Sequence, residues 1–204
     1  MSVKNLLICQ PVVRTKANAG ALIGAVTPGT DSRGTIKLPT VEIKKVQVEY
    51  PQVQAEQTSA SAGALIGTFE GGSLTVRMRW RRIISVISWE AAQKKQPIWK
   101  LEEESKYRIR ALKGTAGGLI GTAKGKISLT DSAAALYVEG MYAGGLVGTA
   151  EKAAAAAAAS GSTVQIQSCY VGGHTANKKF DTSQKPGMGQ TPIQLLRILP
   201  DVIT

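Results

Sequence analysis

Short runs in which apolar and polar residues alternate recur along the chain: Val41/Ile43, Val46/Val48/Tyr50, Leu74/Val76, Ile127/Leu129, Leu136/Val138 and Val164/Ile166. Period two over four to six residues marks a strand that buries one face and solvates the other. The chain is therefore expected to be mainly β, built from many short strands.

Between these runs a six-residue motif, Ala-Gly-(Ala/Gly)-Leu-(Ile/Val)-Gly, occurs four times. Its copies are Ala19-Gly20-Ala21-Leu22-Ile23-Gly24, Ala62-Gly63-Ala64-Leu65-Ile66-Gly67, Ala116-Gly117-Gly118-Leu119-Ile120-Gly121 and Ala143-Gly144-Gly145-Leu146-Val147-Gly148. Paired apolar residues bracketed by glycines suit a strand that is entered and left sharply, because glycine accepts positive φ and close backbone approach. One such unit cannot bury its own apolar face, whereas stacked units share a narrow core. The expected architecture is a β-solenoid or β-helix-like stack of short glycine-punctuated coils. The motif glycines are 43, 54 and 27 residues apart. The middle interval is twice the last, which points to a missing copy near residue 90.

Gly144-Gly145-Leu146-Val147-Gly148, preceded by Leu136-Tyr137-Val138-Glu139-Gly140 and followed by Ser168-Cys169-Tyr170-Val171-Gly172, resembles the GLUG-motif repeat. That repeat occurs in large secreted and surface-attached bacterial proteins, including adhesin-like proteins and non-catalytic regions of some IgA-specific peptidases. The resemblance spans roughly residues 17 to 76 and 114 to 175, with Ala21 and Ala64 where a second glycine is usual. It implies an extracellular or cell-surface location, a structural or adhesive role, a protein or glycan as surface ligand, and no catalytic residues to transfer. A non-catalytic accessory region of a secreted peptidase is the alternative it allows.

Composition sharpens this in two places. Glycine reaches 22 residues while aromatics are only 5%, so the core is expected to consist of small and β-branched side chains. The net charge of +11 is concentrated: residues 77 to 113 hold eleven Lys/Arg and four Glu. Outside that segment the excess is small, so no general polyanion-binding surface is expected.

The basic segment also holds Trp80, Trp89 and Trp99, the Arg79-Trp80-Arg81-Arg82 cluster and Glu102-Glu103-Glu104, with almost no glycine. It is expected to depart from the coil geometry. An inserted helix over Ser88 to Leu101 is one explanation, although Pro97 would break it. The preferred explanation is frame-shifted repeat sequence, since glycine codons read in another frame encode Trp, Arg, Glu and Ala. Thr191 to Thr204 can be reread in the same way. The organisation is thus repeats over 1–76, an aberrant segment over 77–113, repeats over 114–175 and an irregular tail over 176–204, the whole a fragment of a longer protein.

Candidate chemistry is sparse, and the chain is expected to be no enzyme. His174 is the only histidine, and its neighbours Ser168 and Cys169 do not build a nucleophile–base pair by proximity in one turn. Gly125-Lys126 is followed by Ile127 rather than Ser/Thr, so no phosphate loop is present. Cys9 and Cys169 match no metal-ligand spacing and are expected to be separate thiols. Consecutive glutamates at 102–104 usually form a solvated surface. Arg77 to Arg82 with Trp80 lacks the interleaved aromatics of a nucleic-acid platform, although a basic nucleic-acid-binding protein remains the third reading. Ala153 to Ala159 is too short for an independent helix. Leu6-Leu7-Ile8 is too short for a signal-peptide core, and no window approaches a membrane span. Neither cofactor nor metal is expected. The surviving route to catalysis is convergence of Glu49, Glu70, Asp131 and Glu139 through stacking.

Overall fold

A computed structural model describes residues 1–78, 107–151, 163–172 and 175–177. The described chain is mainly β, with no helix among the described residues. All but one of its strand pairings are parallel.

The first repeat comprises β1 (Ser2–Cys9), β2 (Val12–Thr15), β3 (Ala19–Gly20) and β4 (Ile23–Val26), followed by an antiparallel hairpin of β5 (Gly29–Thr30) and β6 (Ile36–Lys37). Asp31 closes that hairpin: its Oδ1 accepts from the Arg33 and Thr35 amides at 2.9 Å each. The second repeat runs through β7 (Thr40–Glu49), β8 (Gln52–Ala55), β9 (Ser61–Gly63) and the first half of β10 (Ile66–Arg77). The third takes the second half of β10, then β11 (Arg108–Gly117) and the start of β12 (Ile120–Thr130). The fourth continues through β12 with β13 (Ala133–Ala135), β14 (Tyr137–Gly144) and β15 (Val147–Glu151). Part of a fifth follows in β16 (Thr163–Gln167), β17 (Tyr170–Gly172) and β18 (Thr175–Asn177).

Equivalent strands of successive repeats pair in register, so each sequence position becomes a row across a sheet. One sheet carries Val41–Leu74–Ile127–Val164 and Val3–Ile43–Val76–Leu129–Ile166. It also carries Ile23–Ile66–Ile120–Val147. The other carries Val13–Val53–Ile109–Val138. Full burial of one such aliphatic side chain contributes about 1.5–3 kcal/mol, and in these rows the burying surface is the next repeat.

The core divides in two. One part is small and β-branched as expected, built on Val53, Ala55, Ala62, Ile109, Ala111 and Ala116. The other is larger and includes Leu65, Leu74, Leu119, Leu129 and Leu146 together with Phe69, which is fully buried.

Two expectations need correction. The interval of 54 residues does not hide an intervening repeat: β9 pairs directly with β11, Gly63 opposite Gly117, and β10 pairs directly with β12, Ile66 opposite Ile120. The strands on either side of residues 79–106 are thus immediate neighbours in the sheets. The segment over 77–113 also conforms at both ends. Arg77 pairs with Lys44 and Thr130, and Arg108–Ala111 pairs with Tyr137–Gly140, Ile109 being completely buried. The rest of that segment, with the three tryptophans, Ser88 to Leu101 and the glutamate run, lies outside the described residues, as do Ala153 to Ala159, His174 and the tail from 178.

Candidate binding surface

The motif glycines are required by contact and not by φ. A Cβ on Gly20, Gly63, Gly117 or Gly144 would stand 2.1, 2.1, 1.8 or 1.9 Å from the carbonyl oxygen three residues ahead, that of Ile23, Ile66, Ile120 or Val147. At the final glycine of the second and third motifs an added Cβ would meet backbone of the preceding motif, 2.4 Å from the Gly24 carbonyl oxygen at Gly67 and 2.5 Å from the Gly67 carbonyl oxygen at Gly121. At the third position a Cβ on Gly118 would stand 1.9 Å from the Gly145 carbonyl oxygen, while Ala64 is accommodated in the core. Positive φ falls instead on Gly71, Gly72 and Gly125, and on the corner residues Gln10, Tyr50, Asp131 and Ser168. Those corners follow β1, β7, β12 and β16 and bend the chain out of each strand.

Leu22, Leu65, Leu119 and Leu146 with Ile23, Ile66, Ile120 and Val147 supply the aliphatic part of each motif. All eight belong to, or pack against, the larger core cluster. The motif residues are thus structural, and the surface available for recognition is carried by the residues that alternate with the core.

The broadest such surface is the outer face of β1, β7, the second half of β10, the second half of β12 and β16. Its rows are Ser2–Glu42–Thr75–Ser128–Gln165, Lys4–Lys44–Arg77–Thr130–Gln167 and Thr40–Ser73–Lys126–Thr163. Adjacent strands are about 4.8 Å apart and alternate residues about 6.7 Å, so five strands present a polar grid about 19 Å wide. Hydroxyl, amide and ammonium groups at these spacings can hydrogen-bond an extended polar polymer along several repeats.

Charge on the grid is locally neutralised. Glu42 lies between Lys44 and Lys4, the latter at 3.2 Å, and accepts from Ser2 Oγ at 3.1 Å. The bond from Lys44, then that from Lys4, holds its carboxyl down from 4.5 to about 2. Arg77 Nε meets Asp131 Oδ2 at 3.0 Å, and beside the grid, between the first half of β12 and β15, Lys124 meets Glu151 at 3.2 Å. Exposed pairs like these contribute little, because solvent and salt screen them.

The Glu42 shift sets a pH dependence. Its folded-state pKa is depressed, so its stabilising contribution is complete above the ordinary carboxylate value of 4.5 and disappears as pH falls towards about 2. Melting curves of wild type and Glu42→Gln are expected to differ most above pH 5 and to converge near pH 2. A difference that grows on acidification would contradict the assignment.

The carboxylates that stacking was to bring together meet separate partners. Glu49 is engaged by Gln47 Nε2 at 2.6 Å and by Cys9 Sγ at 3.9 Å. Asp131 pairs with Arg77, and Glu70 lies in register with Lys124. Glu139 is buried, with Arg110 Nε at 2.9 Å and Arg108 at 4.0 Å, and Arg108 in turn lies 5.9 Å from the centre of the Tyr137 ring. This last cluster on β11 and β14 was absent from the sequence reading, because Arg108 and Arg110 were assigned to the aberrant segment.

The two thiols are separate, Cys9 on the first repeat and Cys169 on the fifth. Burial pushes the Cys169 thiol up, and its sulfur lies 3.3 and 3.4 Å from the carbonyls of Gln167 and Leu129. A raised thiol pKa lowers the thiolate fraction and with it nucleophilic reactivity. Among the described residues no group of His, Cys, Asp and Glu is arranged to hold a metal ion, and no helix is long and apolar enough to cross a membrane.

Comparison of the chain with protein-family models, with curated proteins and with solved structures finds no match.

Proposed function

We propose that the chain is a structural and adhesive repeat module of a bacterial extracellular surface protein, a β-solenoid fragment whose coils display a polar grid and perform no catalysis. The observation that carries this reading is the register of the four hexapeptides: Gly20 opposite Gly63, Gly63 opposite Gly117 and Gly117 opposite Gly144. Parallel pairing between identical positions of successive repeats is what stacked coils require. The resemblance to GLUG-motif repeats supplies the bacterial surface context. The grid of Ser, Thr, Gln and Lys side chains supports a glycan or protein ligand rather than a nucleic acid, since its cations are interspersed with Glu42 and Asp131.

The test is retention. Beads carrying the full chain are passed over surfaces coated with extracellular glycans and matrix proteins, in parallel with beads carrying Lys44→Glu/Arg77→Glu/Lys126→Glu. Retention on at least one surface, lost in the triple variant, is the expected result. Equal retention of both chains, or retention on no surface, would contradict the adhesive role. Hydrolysis of any of these ligands, abolished by replacing a carboxylate of the chain, would overturn the non-catalytic one.

A further inference from the structure

We propose that the β5–β6 hairpin is a processing site, at which an endopeptidase specific for basic residues cuts the Arg33–Gly34 bond and leaves the first repeat seated on the second. The inference goes beyond the adhesive reading and stands without it.

The hairpin is surplus to the stack. Residues 27–39 join the row Val26–Phe69–Ala123 to the row Thr40–Ser73–Lys126. The next two repeats turn the same corner with Glu70-Gly71-Gly72 and with Lys124-Gly125 alone. Both roots of the hairpin are fixed, since Val26 pairs with Phe69 and the Pro39 carbonyl accepts from the Ser73 amide at 2.9 Å. Between the roots, β5 and β6 pair with each other and, among the described residues, with no other strand. Ser32, Arg33, Gly34 and Thr35 are all exposed, and a methyl group added at Gly34 would meet no atom within 4 Å.

A peptide entering a recognition cleft commonly does so as an extended strand, bonded through its backbone. Cations within the sheets are withheld from such a cleft by pairing: Lys44 lies between Lys4 and Arg77, and Arg110 between Gln54 and Glu139. A cut beside them would first require a repeat to unpair. Arg33 needs only the turn to open. That turn is held at Asp31, whose amide donates to the Thr35 carbonyl and whose carbonyl accepts from the Gly34 amide, each at 3.0 Å. Its Oδ1 accepts from the Arg33 and Thr35 amides at 2.9 Å each. These bonds are local and solvent-exposed, so their opening lies at the low end of the free energies that separate local from global unfolding. Arg33 offers a guanidinium to a carboxylate-bearing pocket. Gly34 brings no side chain to the leaving side, and no proline stands between Pro28 and Pro39 to interrupt the backbone bonds.

Cleavage adds one water across the bond: the Arg33 carbonyl carbon takes the hydroxyl and becomes a carboxylate, and the nitrogen leaves as the Gly34 amine. The piece that ends at Arg33 keeps the pairing of β1 with β7, β2 with β8, β3 with β9 and β4 with β10. The cut chain therefore stays assembled.

Limited digestion of the full chain with trypsin, followed in time by amino-terminal sequencing, tests this. Gly34 is expected to be the earliest new terminus within residues 1–78. Arg33→Gln is expected to abolish it, and Asp31→Ala, which releases the Arg33 and Thr35 amides from the carboxylate, to bring it on roughly tenfold faster. In native size-exclusion chromatography the piece ending at Arg33 should elute with the rest of the chain, and in urea it should separate. An earlier terminus inside a paired strand of residues 1–78, or no cut in the hairpin, overturns the proposal. So does a piece that leaves the cut chain without denaturant, or an Asp31→Ala chain cut no faster than wild type.

Discussion

Replacing Gly117 with alanine is expected to lower the stability of the chain by about 3 kcal/mol, the upper end for forcing atoms into a filled site. The new methyl group would stand 1.8 Å from the Ile120 carbonyl oxygen and 2.6 Å from the Gly148 amide nitrogen. Both obstacles are backbone, so neither can rotate away. Relief would require opening the pairing between the third and fourth repeats. For a chain of this size the loss corresponds to a fall in Tm of roughly 6–12 °C. Gly29→Ala is the matched control, because nothing lies within 4 Å of its added methyl, and its effect should stay within about 0.5 kcal/mol. Thermal melts of the two variants side by side check the account. Equal effects would mean that the motif glycines are tolerated and not required.

Phe69→Ala is expected to cost about 3–5 kcal/mol, a large share of the total stability of an ordinary domain. Phe69 is fully buried and lies in a row with Val26 on one side and Ala123 on the other. Neither neighbour is large enough to fill the space that the ring leaves. In the same core cluster Leu74 is paired on both sides, with Val41 and Ile127, and the backbones of Leu65 and Leu119 are hydrogen-bonded to the neighbouring motifs. Urea denaturation gives the value directly, and Phe69→Leu should recover most of it. A loss below about 1 kcal/mol for alanine would place the ring outside the core.

The alternating runs and the hexapeptide were enough to read a mainly β chain from the sequence, because both periodicity and glycine contact are local properties of the backbone. The in-register rows of Ile23, Ile66, Ile120 and Val147 are the physical meaning of the repeat. Spacing misled where it was used to count repeats. An interval of 54 residues measures chain length and not layers, since the strands that follow it return directly beside those of the second repeat, β11 beside β9 and β12 beside β10. The return was hidden because Arg108-Ile109-Arg110-Ala111 alternates with a small residue at its second inward position, and four residues with two arginines read as charge before they read as strand. The cluster of Arg108, Arg110, Tyr137 and Glu139 was invisible for the same reason. It is assembled by pairing between β11 and β14, which spacing does not announce. The burial of Phe69 was likewise not legible, since a core of small side chains leaves no expectation of an aromatic at its centre. Positive φ at Tyr50 and Ser168 was equally hidden, because neither residue type favours that conformation.

The central claim is that the four hexapeptides are immediate neighbours in sequence order, with the second directly against the third. Methyl-to-methyl nuclear Overhauser effects among Ile23, Ile66, Ile120 and Val147 test it most directly. The register predicts cross-peaks for Ile23 with Ile66, Ile66 with Ile120 and Ile120 with Val147, and none for Ile23 with Ile120 or Ile66 with Val147. Absence of the Ile66–Ile120 cross-peak, with Ile66 instead touching a residue between 79 and 106, would contradict the account.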